Sequence, residues 1–234
     1  MQEINETMQP GTKPDLTTPT HKNHIRKHLL SRLAALSGVL ALGVLYLFLP
    51  DKLIIGPSWL LLVIEGVLIL PFVIALTTQR DLPHGLIRAI ALVTLGITTL
   101  ALATGITLLV SILPQSGTKG PFLLRSAGIL WVFNILVFAL WYFEIDGGGP
   151  LKRHLAGPQA TDFLFPQYAP GSKSNWMPHF IDYVFLAFTS ATALSPADTQ
   201  PLTKKAKVLM MIEAVFSLVV IVLLAARAVN ILSS

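Results

Sequence analysis

The sequence predicts an all-α fold: a polytopic helical membrane protein with five full spans plus one short segment that either re-enters or makes a thin sixth crossing. Three observations carry that prediction. Hydrophobic residues make up 53% of the chain and charged residues only 12%, against about a quarter charged in a soluble domain. The mean hydropathy is +0.67. The apolar residues gather into runs near the roughly 20 residues a helix needs to cross a bilayer, divided by polar turns rich in Pro and Gly. The same composition sets exclusions. With no cysteine, disulfides and Cys-based metal or redox chemistry are out. The net charge of +5 is what cytoplasmic loops of a membrane protein supply, so the expected partner is the lipid bilayer and not nucleic acid. The 234 residues fit one membrane domain without a separate soluble catalytic domain.

Residues 1–23 are polar, with Pro10, Pro14 and Pro19, and read as a disordered tail. Residues 24–32 continue a basic, histidine-bearing stretch that starts at His21 and abuts the first apolar run. It reads as a juxtamembrane patch beside anionic headgroups, in preference to a metal or pH site. The following run is too long for a signal-peptide core, and no small-residue cleavage site follows it. Residues 33–143 read as a four-span bundle. Span one is Leu33–Leu49, closed by Pro50-Asp51-Lys52. Span two is Ser58–Thr77, with Glu65 inside it and Pro71 as a candidate kink. Span three, Ala89–Leu113, is rich in Gly, Ala and Thr, which let helices approach closely in lipid and place it inside the bundle. Span four, Phe122–Phe143, carries Asn134, and its Trp131, Trp141 and Tyr142 read as markers of a headgroup boundary.

Residues 144–179 form the long connector. Three successive glycines, Gly147 to Gly149, allow a sharp turn. Phe163, Leu164, Phe165, Tyr168 and Trp176 argue for order, with these side chains against the membrane surface. Neither a phosphate loop, a dinucleotide fingerprint, a catalytic triad nor an H-E-x-x-H pattern occurs, so no enzyme, metal or cofactor site is expected.

Residues 180–234 hold a short apolar-aromatic run (Phe180–Leu194), a polar turn (Ser195–Thr203), the basic cluster Lys204, Lys205 and Lys207, and a last span over Val208–Leu232. The first run is about 15 residues, short of a crossing. This stretch resembles the pore hairpin of potassium channels and their two-helix relatives. Asp198, Pro201 and Thr203 fall on that family's Asp-x-x-Pro-x-Thr, Thr192 on its first filter threonine, Lys204 or Lys205 on its basic position, and Glu213 where many inner helices carry an acid. The resemblance implies the scaffold of a short helix, a turn and a span, in a homo-oligomer that conducts a small ion or solute. It does not extend to potassium selectivity. Ser195 and Ala197 stand at the two filter glycines and Pro196 at the tyrosine. A filter that turns successive carbonyls to the ion needs residues at ease with positive φ, which Ser and Ala are not, and Pro196 restricts itself and Ser195.

Orientation follows from Lys and Arg. With a cytoplasmic N-terminus, five spans and a re-entrant segment, the inside carries Lys13, Lys22, Arg26, Lys27, Arg32, Arg80, Arg88, Lys152, Arg153, Lys173, Lys204, Lys205 and Lys207. The outside carries Lys52, Lys119, Arg125 and Arg227. A sixth crossing would move the three late lysines out and Arg227 in, weakening the bias without reversing it. The inside count puts the hairpin on the face opposite to a potassium channel's pore loop. The expected location is the cell (inner) membrane. The functional candidates are the polar groups in apolar surroundings: Glu65, Glu213, Asn134 and Asp182, together with the degenerate filter region Thr192, Ser195, Pro196, Ala197 and Asp198. A charge at mid-bilayer costs about 3 kcal/mol on insertion scales, so Glu65 and Glu213 read either as structural acids or as the lining of a polar cavity. Asn134 suits an interhelical hydrogen bond, Asp182 a helix cap and Asp198 a turn. Two function classes stand: a channel- or transporter-like protein, or a non-conducting structural or interaction protein that retains a pore-like hairpin.

Overall fold

The computed structural model describes residues 37–78, 83–112, 120–168, 176–192 and 198–232. Of these, the side chains of 71–73, 75–78, 84, 151 and 227–232 are outside the description. The tail, the basic juxtamembrane stretch and filter positions Ser195, Pro196 and Ala197 lie outside the described residues. The architecture is helical: α1 (Ser37–Leu47), α2 (Leu60–Thr78), α3 (His84–Ile112), α4 (Gly120–Ile145), α5 (Pro150–Ala156), α6 (Phe180–Ala191) and α7 (Lys204–Leu232). One antiparallel pair of two-residue strands, β1 (Phe163–Leu164) and β2 (Gln200–Pro201), joins the connector to the turn before α7.

Among the described residues, three helices are long and apolar enough to cross a membrane: Gly85–Ile112, Gly120–Gly148 and Lys204–Ala226. They correspond to expected spans three, four and last. The count of five is not reached among the described residues. Of the other apolar helices, Ser37–Leu47 and Phe180–Ala191 fall short of 18 residues among the described residues, and the apolar stretch of α2 with described side chains is Leu60–Leu70. The backbone of α2 continues as helix through Pro71.

The central helix is α4, which packs against α3, α6 and α7. Its membrane-length stretch is 61% buried, against 22% for α3 and 17% for α7. The buried side of α4 is built from Leu123, Leu130, Phe133, Val137 and Phe138, and Leu102 and Leu109 of α3 join the same core. Small residues set the approach distances. A Cβ on Gly105 would come within 2.9 Å of Leu130 Cδ2, so α3 and α4 approach closely there. The hydroxyls that make α3 look polar are satisfied within the helix. Thr94, Thr99 and Thr107 donate to carbonyls four residues back, at 2.9, 2.6 and 2.8 Å. Such back-bonding lets a threonine-rich helix sit in apolar surroundings.

The helix ends sort into two groups. At one end, Arg88 in the first turn of α3 lies against Gly148, just past the end of α4. Gly38 of α1 abuts Phe180, which opens α6. Tyr183, in the first turn of α6, bonds Asp146 beyond α4. Lys205, in the first turn of α7, bonds the Ile145 carbonyl at 3.1 Å. The starts of α1, α3, α6 and α7 and the end of α4 are therefore neighbours. At the other end, the Leu53 carbonyl approaches Gly105, in the late part of α3. One consequence is decisive for the last third of the chain. The segment between Tyr183 and Lys205 leaves one end of α4 as a helix and returns to that same end.

Candidate functional site

Two buried polar clusters flank the end of α4, and they differ in how completely their groups are bonded. The first holds the connector. Asp146 Oδ1 accepts from Thr161 Oγ1 at 2.5 Å and from the Asp162 N–H at 2.9 Å, while Oδ2 accepts from Tyr183 Oη at 2.5 Å. Arg153, 3% exposed, donates to the carbonyls of Asp146 (2.8 Å) and Phe143 (3.1 Å) and stands 3.8 Å from the Asp146 carboxylate. Its guanidinium also lies over the rings of Phe143 and Tyr183, at 5.1 and 5.2 Å. Asp162 accepts from the Gly147 N–H (3.0 Å), Thr203 Oγ1 (2.6 Å) and Lys205 Nζ (2.8 Å). The bend that allows this runs through Gly147, Gly148 and Gly149 at φ +61°, +80° and +106°, a left-handed path only glycine follows without strain. Every carboxylate here has donors, so this cluster is a clasp that fastens the connector to the starts of α6 and α7.

The connector's aromatic residues complete the clasp. Phe163 and Phe165 were expected on the membrane surface; instead they are buried, edge-on to Tyr142 (5.2 Å) and Tyr183 (5.5 Å). Trp176 packs on Phe165 and Tyr168 at 5.5 and 5.3 Å. The aromatic rings find more contact against α4 and α6 than a lipid surface would give.

The second cluster lies deeper, between α4, α6 and α7. Glu213 has no exposed surface. Tyr142 donates its hydroxyl proton to Glu213 Oε2, and Ser190 of α6 hydrogen-bonds the same carboxyl group. One turn farther along α7, Ser217 Oγ accepts from Asn134 Nδ2 at 2.7 Å. Helical spacing explains the pairing. Glu213 and Ser217 are i,i+4 on α7, and Tyr142 and Asn134 lie two turns apart on α4, so each pair shares a helix face. Phe138 stands between Asn134 and Tyr142 on α4, with Phe216 6.1 Å from its ring. Two acceptors stay unmet: Glu213 Oε1 and Asn134 Oδ1 are buried without a hydrogen-bond partner among the described residues. An unmet acceptor in such surroundings is costly.

The other sequence candidates are not in this cluster. Glu65 is fully buried on α2 and faces the backbone at Gly43 of α1, with no side-chain partner for either oxygen among the described residues. Asp182 accepts the His179 N–H at 2.6 Å, an N3 acid reaching back to the N-cap of α6. Thr192 closes α6, donating to the Phe188 carbonyl at 2.8 Å. Asp198 is exposed in the turn before β2. Tyr142, near the end of α4, is fully buried and donates to Glu213. A phenol reaches such a partner readily because its ring packs while its hydroxyl bonds. Sequence reasoning did not single out Ser190 or Ser217. The i,i+4 relation of Ser217 to Glu213 was the available signal.

No cluster of three or more potential metal ligands occurs among the described residues. Comparison of the chain with family models, curated proteins and solved structures finds no match.

Proposed function

We propose that this chain is a multi-pass protein of the cell (inner) membrane that passes a small ion or solute by way of the Glu213 site, acting as a homo-oligomer and without enzymatic chemistry. The reading rests on one observation: a fully buried carboxyl group with one oxygen unmet, in the middle of a helix long enough to span a bilayer. Intramembrane acids of this kind line paths for ions or protons. In this reading α1 and α2 complete the five spans, since apolar residues run ahead of α1 from Leu33 and onward through α2 to Leu76. The shared end of α4 lies in the cytoplasm, in keeping with its lysines and arginines. Because α6 starts and α7 begins at that same end, α6 is a re-entrant helix. It brings Ser190 to Glu213 from the cytoplasmic side, the reverse of a potassium channel's pore loop, and it carries no potassium selectivity.

Flux through purified protein in liposomes tests the proposal. Wild-type protein is expected to conduct, and Glu213→Gln to fall to the level of empty liposomes. The second reading, a non-conducting structural or interaction protein, draws on the packing around the site, where Val220 and Leu223 continue the α7 face as buried apolar residues. It gains if wild-type liposomes show no flux while Glu213→Ala unfolds the protein.

A further inference from the structure

We propose that the species the Glu213 site binds is a proton, carried on Oε1 of Glu213. This deepens the functional reading above and rests on it. Counting donors and acceptors leads there. The unmet groups of the site, Glu213 Oε1 and Asn134 Oδ1, are both acceptors and both wholly buried. The site's donors, Tyr142, Ser190 and the Asn134 amide, are already engaged, so the unmet groups suit a proton or a cation better than an anion. The elements packed against α7 are α4, α6, α3 and β2. The groups that face Glu213 from them are Tyr142 on α4 and Ser190 on α6. No Lys, Arg or His stands against it among the described residues. The indole N–H of Trp131, one turn before Asn134, is itself unpartnered, but its ring packs on Phe188 at 6.0 Å and bonds neither acceptor.

Depth strengthens the case. Glu213 lies nine residues into α7, about 14 Å along the helix at 1.5 Å per residue, within the stretch Lys204–Ala226 that is long and apolar enough to cross a membrane. A bare carboxylate there, with no countercharge, is the costliest state the group can adopt. A metal ion is a poor alternative. Hard cations gather about six or more oxygens, whereas Phe138 and Phe216 fill the space beside the line from Tyr142 to Asn134. A proton needs one oxygen. Once on Oε1 it turns that acceptor into a donor, while Oε2 keeps its bond from Tyr142.

Infrared spectroscopy of the full chain in liposomes tests the assignment, with Glu213→Gln and Tyr142→Phe as variants. The carbonyl stretch of a carboxylic acid is well separated from the bands of a carboxylate. At neutral pH, wild type minus Glu213→Gln is expected to leave an acid band that shifts on transfer to D2O. Tyr142→Phe should keep that band and move it to higher frequency, because one hydrogen bond to the carboxyl group is lost. Exchange of sodium for choline should leave it unchanged. A difference spectrum holding only carboxylate bands, or an acid band that sodium converts to carboxylate, overturns the proposal. Flux with no acid band removes the proton and keeps the pathway. An acid band without flux keeps the protonated site and removes the pathway.

Discussion

Asp146 and Glu213 are both buried acids, and their surroundings assign them different work. Asp146 is held by Thr161, Tyr183 and a backbone N–H, with Arg153 beside it. Breaking a buried pair from one side leaves the other charge uncompensated, so Asp146→Asn should lower stability by about 3 kcal/mol, read as a loss in unfolding free energy in detergent. Lys205 is half exposed, and its pairing with Asp162 is screened. Lys205→Ala should therefore cost about 1 kcal/mol or less in the same assay. Equal losses for the two would mean the clasp is not centred on Asp146. Glu213→Gln keeps shape and a hydrogen-bond acceptor, so it should unfold within about 1 kcal/mol of wild type while abolishing flux. At this scale the sequence was legible only in part. Glu65, Glu213 and Asn134 stood out as polar groups in apolar runs. Asp146, Arg153 and Asp162 did not, because their meaning depends on Tyr183 and Lys205, far away in the chain.

The elements divide by what holds them. Run length alone located α3, α4 and α7, because a long apolar helix needs no partner to be recognised. The starts and ends of α1, α2 and α6 depend on neighbours instead. Gly43 is the clearest case: a Cβ there would run into Glu65 Oε2 and come within 2.6 Å of Leu62. Gly43→Leu should overpack the α1–α2 contact and cost about 1–3 kcal/mol, with Glu65→Ala on the same chain recovering part of the loss by opening space. If Gly43→Leu unfolds like wild type, α1 does not lie where the structure puts it. The short α5 and the two-residue β1–β2 pair had no sequence signal of their own. They exist because the glycine bend after α4 aims the connector back toward the turn before α7.

For the whole molecule, the claim with the widest reach is that the chain between α4 and α7 enters and leaves on one face. That places the clasp, the basic residues Lys152, Lys204 and Lys207, and the opening of α6 together. It leaves Lys52 at the opposite end, beside the late part of α3. The sequence alone kept re-entry and a sixth crossing side by side, since a run of about 15 apolar residues is ambiguous against a 30 Å hydrocarbon layer. Contacts at the two ends of the segment, Tyr183 to Asp146 and Lys205 to Ile145, bring both to the same end of α4, which supports the re-entrant reading proposed above. Because the chain has no cysteine, single cysteines at positions 52, 152 and 198 can be labelled one at a time in sealed vesicles of known orientation with a membrane-impermeant maleimide. The account predicts that 152 and 198 react from the same side and 52 from the other; labelling of 198 together with 52, and apart from 152, would contradict it.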